Sequence, residues 1–235
     1  MKKLERFIIK LKRKKKMAKK LKVLNLYAGI GGNRKLWPDE EIEVTAVEYN
    51  EEIAKIYQDF FPKDKVIVED AHQYLLEHYK EFNFIWSSPP CPSHSVCNNF
   101  QNAQGLVRFP DMNLYQEIIL LKHFGKCNWV IENVKPYYEP LIKPQVAGRH
   151  CFWSNFNITN KKIVCNFNTI NARSTTRIEK GVDIKMLEQF HGFDLKEYKT
   201  GLKRKVLRNC VKPELGLHIF NCAFKEKQQT LESGK

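Results

Sequence analysis

The residues best suited to chemistry sit in two kinds of stretch. In "SSPPCPSHS", Ser87 to Ser95, a single thiol, Cys91, stands among three prolines directly after the apolar run "FNFIWSS". Proline fixes φ, so the thiol is held stiffly at the end of what reads as a buried strand. The simplest reading of an isolated Pro-Cys pair is a structural cysteine in a rigid turn, because free Cys is among the most buried residue types. Glu132, in "WVIENVK", ends a second apolar run, where a carboxyl is expensive unless it is paired or used. A thiol and a carboxyl on neighbouring strand ends make a nucleophile and an acid/base candidate, and that pairing outweighs the simpler reading.

The second kind of stretch suits a nucleoside. Gly29, Gly31 and Gly32 in "LNLYAGIGGNRKLW" follow the first strand and permit a tight turn with close approach of a ligand. About twenty positions on, Glu48 ends the second strand, where a carboxylate can accept from both hydroxyls of a ribose. The glycines lack the G-x-G-x-x-G spacing of a dinucleotide fold, which favours a single nucleoside such as S-adenosylmethionine over NAD. Asp70, ending the third strand, either reaches an adenine edge or caps the next helix. Trp37 follows the glycine turn on the ligand side, whereas Trp86, Trp129 and Trp153 read as core. His94, His123 and His191 lie at no metal-ligand spacing, so no metal is expected.

These groups need a scaffold that brings strand ends together. "KVLNLY", "IEVTAVE", "KVIV", "FNFIWSS" and "NWVIEN" read as strands. A helix is expected after Asn50, with Ile53, Ile56, Tyr57 and Phe60 on one face; a second starts near Asp70, and a third carries Leu114, Ile118 and Leu121. Strands alternating with helices predict an α/β fold with a doubly wound, mostly parallel sheet. "EPLIKPQVAGRHCFWSNFNI" reads as one long strand entered through prolines. Residues 21–153 form the expected catalytic and cofactor-binding domain and 154–185 a short insert. Residues 186–224 return to the domain, leaving a basic tail at 1–20 and a flexible end at 225–235.

Composition narrows the class. Seven cysteines, an odd number without a C-x-x-C pair, argue against a disulfide framework and for a reduced, cytoplasmic protein. No apolar run reaches membrane-span length, and the N-terminus lacks the apolar core of a signal peptide. Of the net charge of +14, ten units fall in the first twenty residues, where eleven Lys and Arg face only Glu5. Such a tail is either a solvated arm or a contact to a polyanion. Met17 offers a second candidate start of translation.

In their order along the chain, these stretches resemble the cytosine-C5 DNA methyltransferase family, in its small bacterial or phage form with a reduced target-recognition region. "YAGIGG" resembles motif I, Glu48 the motif II acid, Asp70 the motif III acid and "PPCPSHS" the motif IV Pro-Cys. "ENV" (Glu132 to Val134) matches motif VI, "GRHCFWSNF" resembles motif VIII, "LEQFHGF" motif IX and "RNCVKPELG" motif X, a span from about Lys22 to Phe220. The resemblance implies a methyltransferase fold with S-adenosylmethionine bound by Tyr27, Ala28, Gly29, Gly31, Gly32, Glu48, Tyr49, Asp70, Ala71, Pro89, Asn209 and Val211. It implies Cys91 as the nucleophile on C6 of a cytosine flipped out of double-stranded DNA, Glu132 in its protonated form on N3, and Arg149 on O2. The loop from Pro92 to Pro110 is the expected lid, and the protein a monomer without metal or membrane partner.

The departures from the family are local. Pro92 stands where Gln is usual after the Pro-Cys pair, Asn209 is preceded by Arg208, and motif VIII offers Arg149 and His150 in place of two arginines; Arg149 is favoured as the base contact. Only about 154–185, with Arg173, Arg177, Asn168 and Asn171, alone or with the Pro92 to Pro110 loop, is available to read a target, which predicts a short one. A tRNA cytosine-C5 methyltransferase is the first alternative, although the Cys-Phe-Thr signature usual there is missing. An inactive DNA-binding module of the same fold is the second, opposed by the intact Cys91 and Glu132.

Overall fold

The computed structural model describes residues 20–159 and 177–224. The basic tail as far as residue 19, and the side chains of Asn168, Asn171, Arg173 and Arg177, lie outside the described residues. Strands β1 (Leu21–Leu26), β2 (Ile42–Val47), β3 (Lys65–Ile67), β4 (Phe84–Ser87), β5 (Asn128–Val134), β6 (Gln145–Ala147) and β7 (His150–Ser154) form one sheet in the order β3-β2-β1-β4-β5-β7-β6. The first five pair in parallel, and β7 runs antiparallel to both β5 and β6. This is the doubly wound, mostly parallel α/β sheet expected from the alternation of strands and helices.

The stretch expected as one long strand is instead the β6–β7 hairpin. Gly148, at φ +63°, takes the left-handed conformation that reverses the chain between them. Reversal lays β7 antiparallel on β5, so that Glu132 faces Phe152 and Val134 faces His150. The alternative single strand would have carried His150 away from Glu132.

Among the described residues the α-helices are α1 (Glu51–Phe60), α2 (Ala71–His78), α3 (Asn98–Ala103), α4 (Asn113–Phe124), α5 (Arg177–His191), α6 (Lys203–Asn209) and α7 (Pro213–Ala223). Asn50 caps α1, its side chain accepting from the Ile53 N–H at 3.0 Å, and Asp70 caps α2 in the same way through Gln73 at 2.8 Å. On one face of the sheet Leu24, Leu26, Ile85 and Ile131 pack against Leu75 of α2 and Leu114, Ile118 and Leu121 of α4. On the other, Val23, Val44, Phe84 and Val130 pack against Leu215, Ile219 and Phe220 of α7. Covered on both faces, β1 and β4 are nearly continuous apolar runs.

Trp37 belongs to this second core layer rather than to the ligand side. It is buried, stacks on Phe220 at 5.1 Å between centroids, and donates its indole N–H to the Gly216 carbonyl at 3.3 Å. A third cluster joins Ile53 and Ile56 of α1 to Leu187, Phe193 and Leu207, holding the C-terminal segment against α1 and Ile30 of the glycine turn. The order of strands reverses between β1 and β4, and the crevice at their carboxyl ends is where ligands of such sheets bind.

Candidate active site

Cys91 is reached through a loop pinned from three sides. The Pro89 carbonyl accepts from Asn133 Nδ2 of β5 at 3.0 Å, so the residue next to Glu132 anchors the Pro-Pro-Cys turn. The Cys91 carbonyl accepts from the N–H groups of His94 and Ser95, at 3.0 and 3.1 Å, closing a turn directly after the thiol. The Pro92 carbonyl accepts from Asn98 Nδ2 of α3 at 2.8 Å and from Arg108 Nη1 at 3.3 Å. His94, buried, meets the Tyr138 hydroxyl at 2.6 Å through Nδ1 and so ties the turn to the segment after β5. The prolines and these bonds leave the thiol half-buried with little freedom. Burial pushes its pKa above the ordinary thiol value, and the Glu132 charge adds to this, while Arg149 pulls in the opposite direction.

Glu132 does not stand alone. His150 lies against it with Nδ1 at 2.6 Å from Glu132 Oε1, both side chains about nine-tenths buried. Arg149 Nε donates to His150 Nε2 at 3.2 Å. With Nε2 accepting, the ring proton sits on Nδ1, so His150 donates to the carboxylate. The hairpin register produces this contact, since alternation along β7 turns His150 and Phe152 to the side that Glu132 occupies on β5. Of the two residues that motif VIII offers, His150 touches the carboxyl, and exposed Arg149 joins through the imidazole.

The three glycines after β1 turn out to serve three purposes. Gly29, at φ +55°, has open space where a Cβ would stand, so its outer face is free for a ligand. Gly31, at φ +81°, is crowded by the rings of Phe61 and Tyr57. A Cβ on Gly32 would come within 2.5 Å of the Val211 carbonyl and 2.9 Å of the Cys210 sulfur, so this glycine admits the chain after α6 and not a ligand. Glu48 Oε2 accepts from the Gly29 N–H at 3.0 Å and Oε1 from the Asn50 N–H at 3.0 Å, which aims the carboxylate while leaving a lone pair on each oxygen. Beside it Tyr49 is 78% exposed, and Val68 beyond β3 is also exposed. An open glycine, an aimed carboxylate and uncovered apolar side chains fit a nucleoside.

The remaining expected residues divide. Tyr27 and Ala28 form the turn itself, Tyr27 at φ +54°. Asp70 caps α2 through one oxygen, and Ala71 is buried behind it. Pro89 is buried under the Pro-Cys turn; Asn209 is exposed at the end of α6, whereas Val211 is core that packs with Trp37. Sequence reasoning missed His150 as the partner of Glu132, and it missed Glu117, a fully buried carboxylate on α4 bonded to Tyr27. Local pattern offers no signal for contacts spanning 18 and 90 residues. Among the described residues no group of three or more His, Cys, Asp or Glu could hold a metal, and no helix is long and apolar enough to cross a membrane.

The chain is similar to a tRNA (cytosine(38)-C(5))-methyltransferase of Spodoptera frugiperda, 26% identical over 129 residues, with 52% of this chain and 38% of that protein covered. The match thus spans well under half the length of that relative. Among solved structures it is similar to a SAM-dependent methyltransferase from Agrobacterium tumefaciens, at 17% identity and a TM-score of 0.38, over 53% of this chain and 42% of the other. It is also similar to the methyltransferase EhMeth of Entamoeba histolytica, at 21% identity and a TM-score of 0.33, over 49% and 38%. The strand order itself is that of an open, doubly wound α/β sheet. The family model for the C-5 cytosine-specific DNA methylases matches residues 21–139, from the first residue of β1 past the end of β5. That span holds Gly29, Glu48, Cys91 and Glu132, and with half of its length matched the chain belongs to the C-5 cytosine-specific DNA methylase family.

Proposed function

We propose that the protein is a DNA cytosine-C5 methyltransferase that takes its methyl group from S-adenosylmethionine. The observation that carries this reading is the placement of Cys91 after β4 and Glu132 on the adjacent β5, at the mouth of the crevice that the Gly29 turn opens. The bound donor would supply an electrophilic methyl sulfonium. Gly29, Glu48 and Tyr49 would hold its nucleoside, with Asp70 at the adenine edge.

C5 of cytosine is a poor nucleophile, and the residues answer that difficulty. The Cys91 thiolate adds to C6, which converts the ring to an enamine with a nucleophilic C5. Glu132, oriented through Oε1 by His150, protonates or hydrogen-bonds N3 and takes up the charge that develops in the ring. Arg149, whose charge favours the Cys91 thiolate, would contact O2 of the base. The pinned Pro-Cys turn provides the proximity that a mostly protonated thiol requires. The target base has to leave its stack to reach this cleft. The segment after Cys91, with exposed Phe100, Leu106, Val107 and Phe109, is the proposed lid. Arg149, Lys35 and Lys212, from three separate parts of the chain, all act on His191, and this concentration of positive charge beside the site suits a polyanion.

A tRNA substrate is the second reading, favoured by the similarity to the Spodoptera frugiperda enzyme. Bisulfite sequencing of the plasmid that expresses the chain, run beside transfer of labelled methyl groups to purified tRNA, separates the two. The DNA reading expects protected cytosines within a target of about two to four base pairs, set by how few side chains are available for base readout. Unprotected plasmid with labelled tRNA would replace it by the RNA reading.

A further inference from the structure

Glu117 lies on α4, outside every stretch that carries the site, and its side chain is 0% exposed. Such a charge is tolerated only with good partners, and it has three. Oε1 accepts from the Tyr27 hydroxyl at 2.7 Å and faces His72 Nδ1 at 3.0 Å, and Oε2 accepts from Ser87 Oγ at 2.6 Å. The three come from different elements. Tyr27 opens the glycine turn, Ser87 ends β4 four residues before Cys91, and His72 follows Asp70 in the first turn of α2.

Two further observations give the cluster a function beyond packing. Tyr27 is the only non-glycine residue at positive φ among the described residues, and a bulky side chain persists there only where its surroundings hold it. Both ring nitrogens of His72 face oxygens, Nδ1 that of Glu117 and Nε2 that of Gln116 at 3.3 Å. A neutral imidazole has one N–H, so only the imidazolium donates to both.

We propose that Glu117 is a positioning residue for the methyl-donor pocket, tying the Tyr27–Gly29 turn, the approach to Cys91 and the Asp70 helix into one unit that the His72 imidazolium completes. The inference rests on the donor-binding reading above and adds to it a dependence of donor affinity on the protonation of His72. The acidic groups that act on this cluster are Glu117 and Asp70 around His72, with Asp111 acting on Tyr27. The hydrogen bond to Glu117 raises the His72 pKa above the ordinary imidazole value. The ion pair is therefore intact on the acid side and is lost as pH rises through that raised value.

Calorimetric titration of the full chain with S-adenosylmethionine at pH 6 and pH 9 tests this. The change in donor affinity between the two pH values is expected to be about tenfold larger in the wild type than in His72→Asn, the size of an ordinary coupling between two binding events. Glu117→Gln should bind weakly at both, with a correspondingly flat profile. Comparing variants removes the donor's own titration, which is common to all of them. His72 lies at the edge of the cluster, so His72→Asn carries the test if Glu117→Gln does not fold. Wild-type binding with the same pH ratio in His72→Asn overturns the proposal and leaves the donor reading intact. A wild type that binds no donor at either pH overturns both.

Discussion

At the residue scale the proposed chemistry turns on Cys91 and what surrounds it. Its pKa is raised first by burial and then by Glu132, so the thiolate is the minor form at neutral pH and the covalent step should accelerate as pH rises. On DNA carrying 5-fluorocytosine, where the final elimination cannot release fluorine as a cation, the wild type should form a denaturation-resistant adduct. Its yield over a short interval should be greater at pH 8.5 than at pH 6.5, and Cys91→Ser should give none. An adduct formed by Cys91→Ser, seen as a shifted band on a denaturing gel, would move the nucleophile elsewhere. Cys91, Glu132 and Glu48 are legible from sequence because each is a polar group placed at the end of an apolar run. His150 is not, because its role depends on a cross-strand contact that exists only once Gly148 has turned the chain.

At the scale of elements, the glycine turn is where pattern and packing diverge. Three glycines in four positions look alike in sequence, yet Gly32 meets the chain after α6 and Gly29 meets open space. A methyl group at Gly32 would press on backbone, which does not yield cheaply, and overpacking of this kind costs about 1–3 kcal/mol. Gly32→Ala should therefore lower the melting temperature by several degrees, at about 2–4 °C per kcal/mol for a chain of this size. Gly29→Ala meets only the backbone strain of its positive φ and should cost about 1 kcal/mol. Equal losses in a thermal melt would refute the division of labour between them. The hairpin β6–β7 gives the same lesson, since an apolar run does not announce where it reverses.

At the scale of the molecule, the C-terminal segment packs against α1 and the glycine turn and creates an environment of its own. His191, the last residue of α5, is buried, and its pKa is pulled down to about 4 by that burial and by Arg149, Lys212 and Lys35. The fold therefore prefers the neutral ring. That preference contributes fully above the ordinary imidazole pKa near 6.5 and is lost as pH falls toward 4. A shift of this size corresponds to about 3 kcal/mol of stability. The melting temperature of the wild type should accordingly fall more steeply between pH 7 and pH 4.5 than that of His191→Phe, and parallel curves would show that His191 is not held neutral. The sequence by itself determined the sheet class, the order of the motifs and the groups at strand ends, because strand periodicity and turn chemistry are local. Only the tertiary structure decided that Trp37 is core, that His150 sits on Glu132 and that Glu117 joins three elements. Those contacts depend on how separate elements face one another, and a linear pattern does not encode facing.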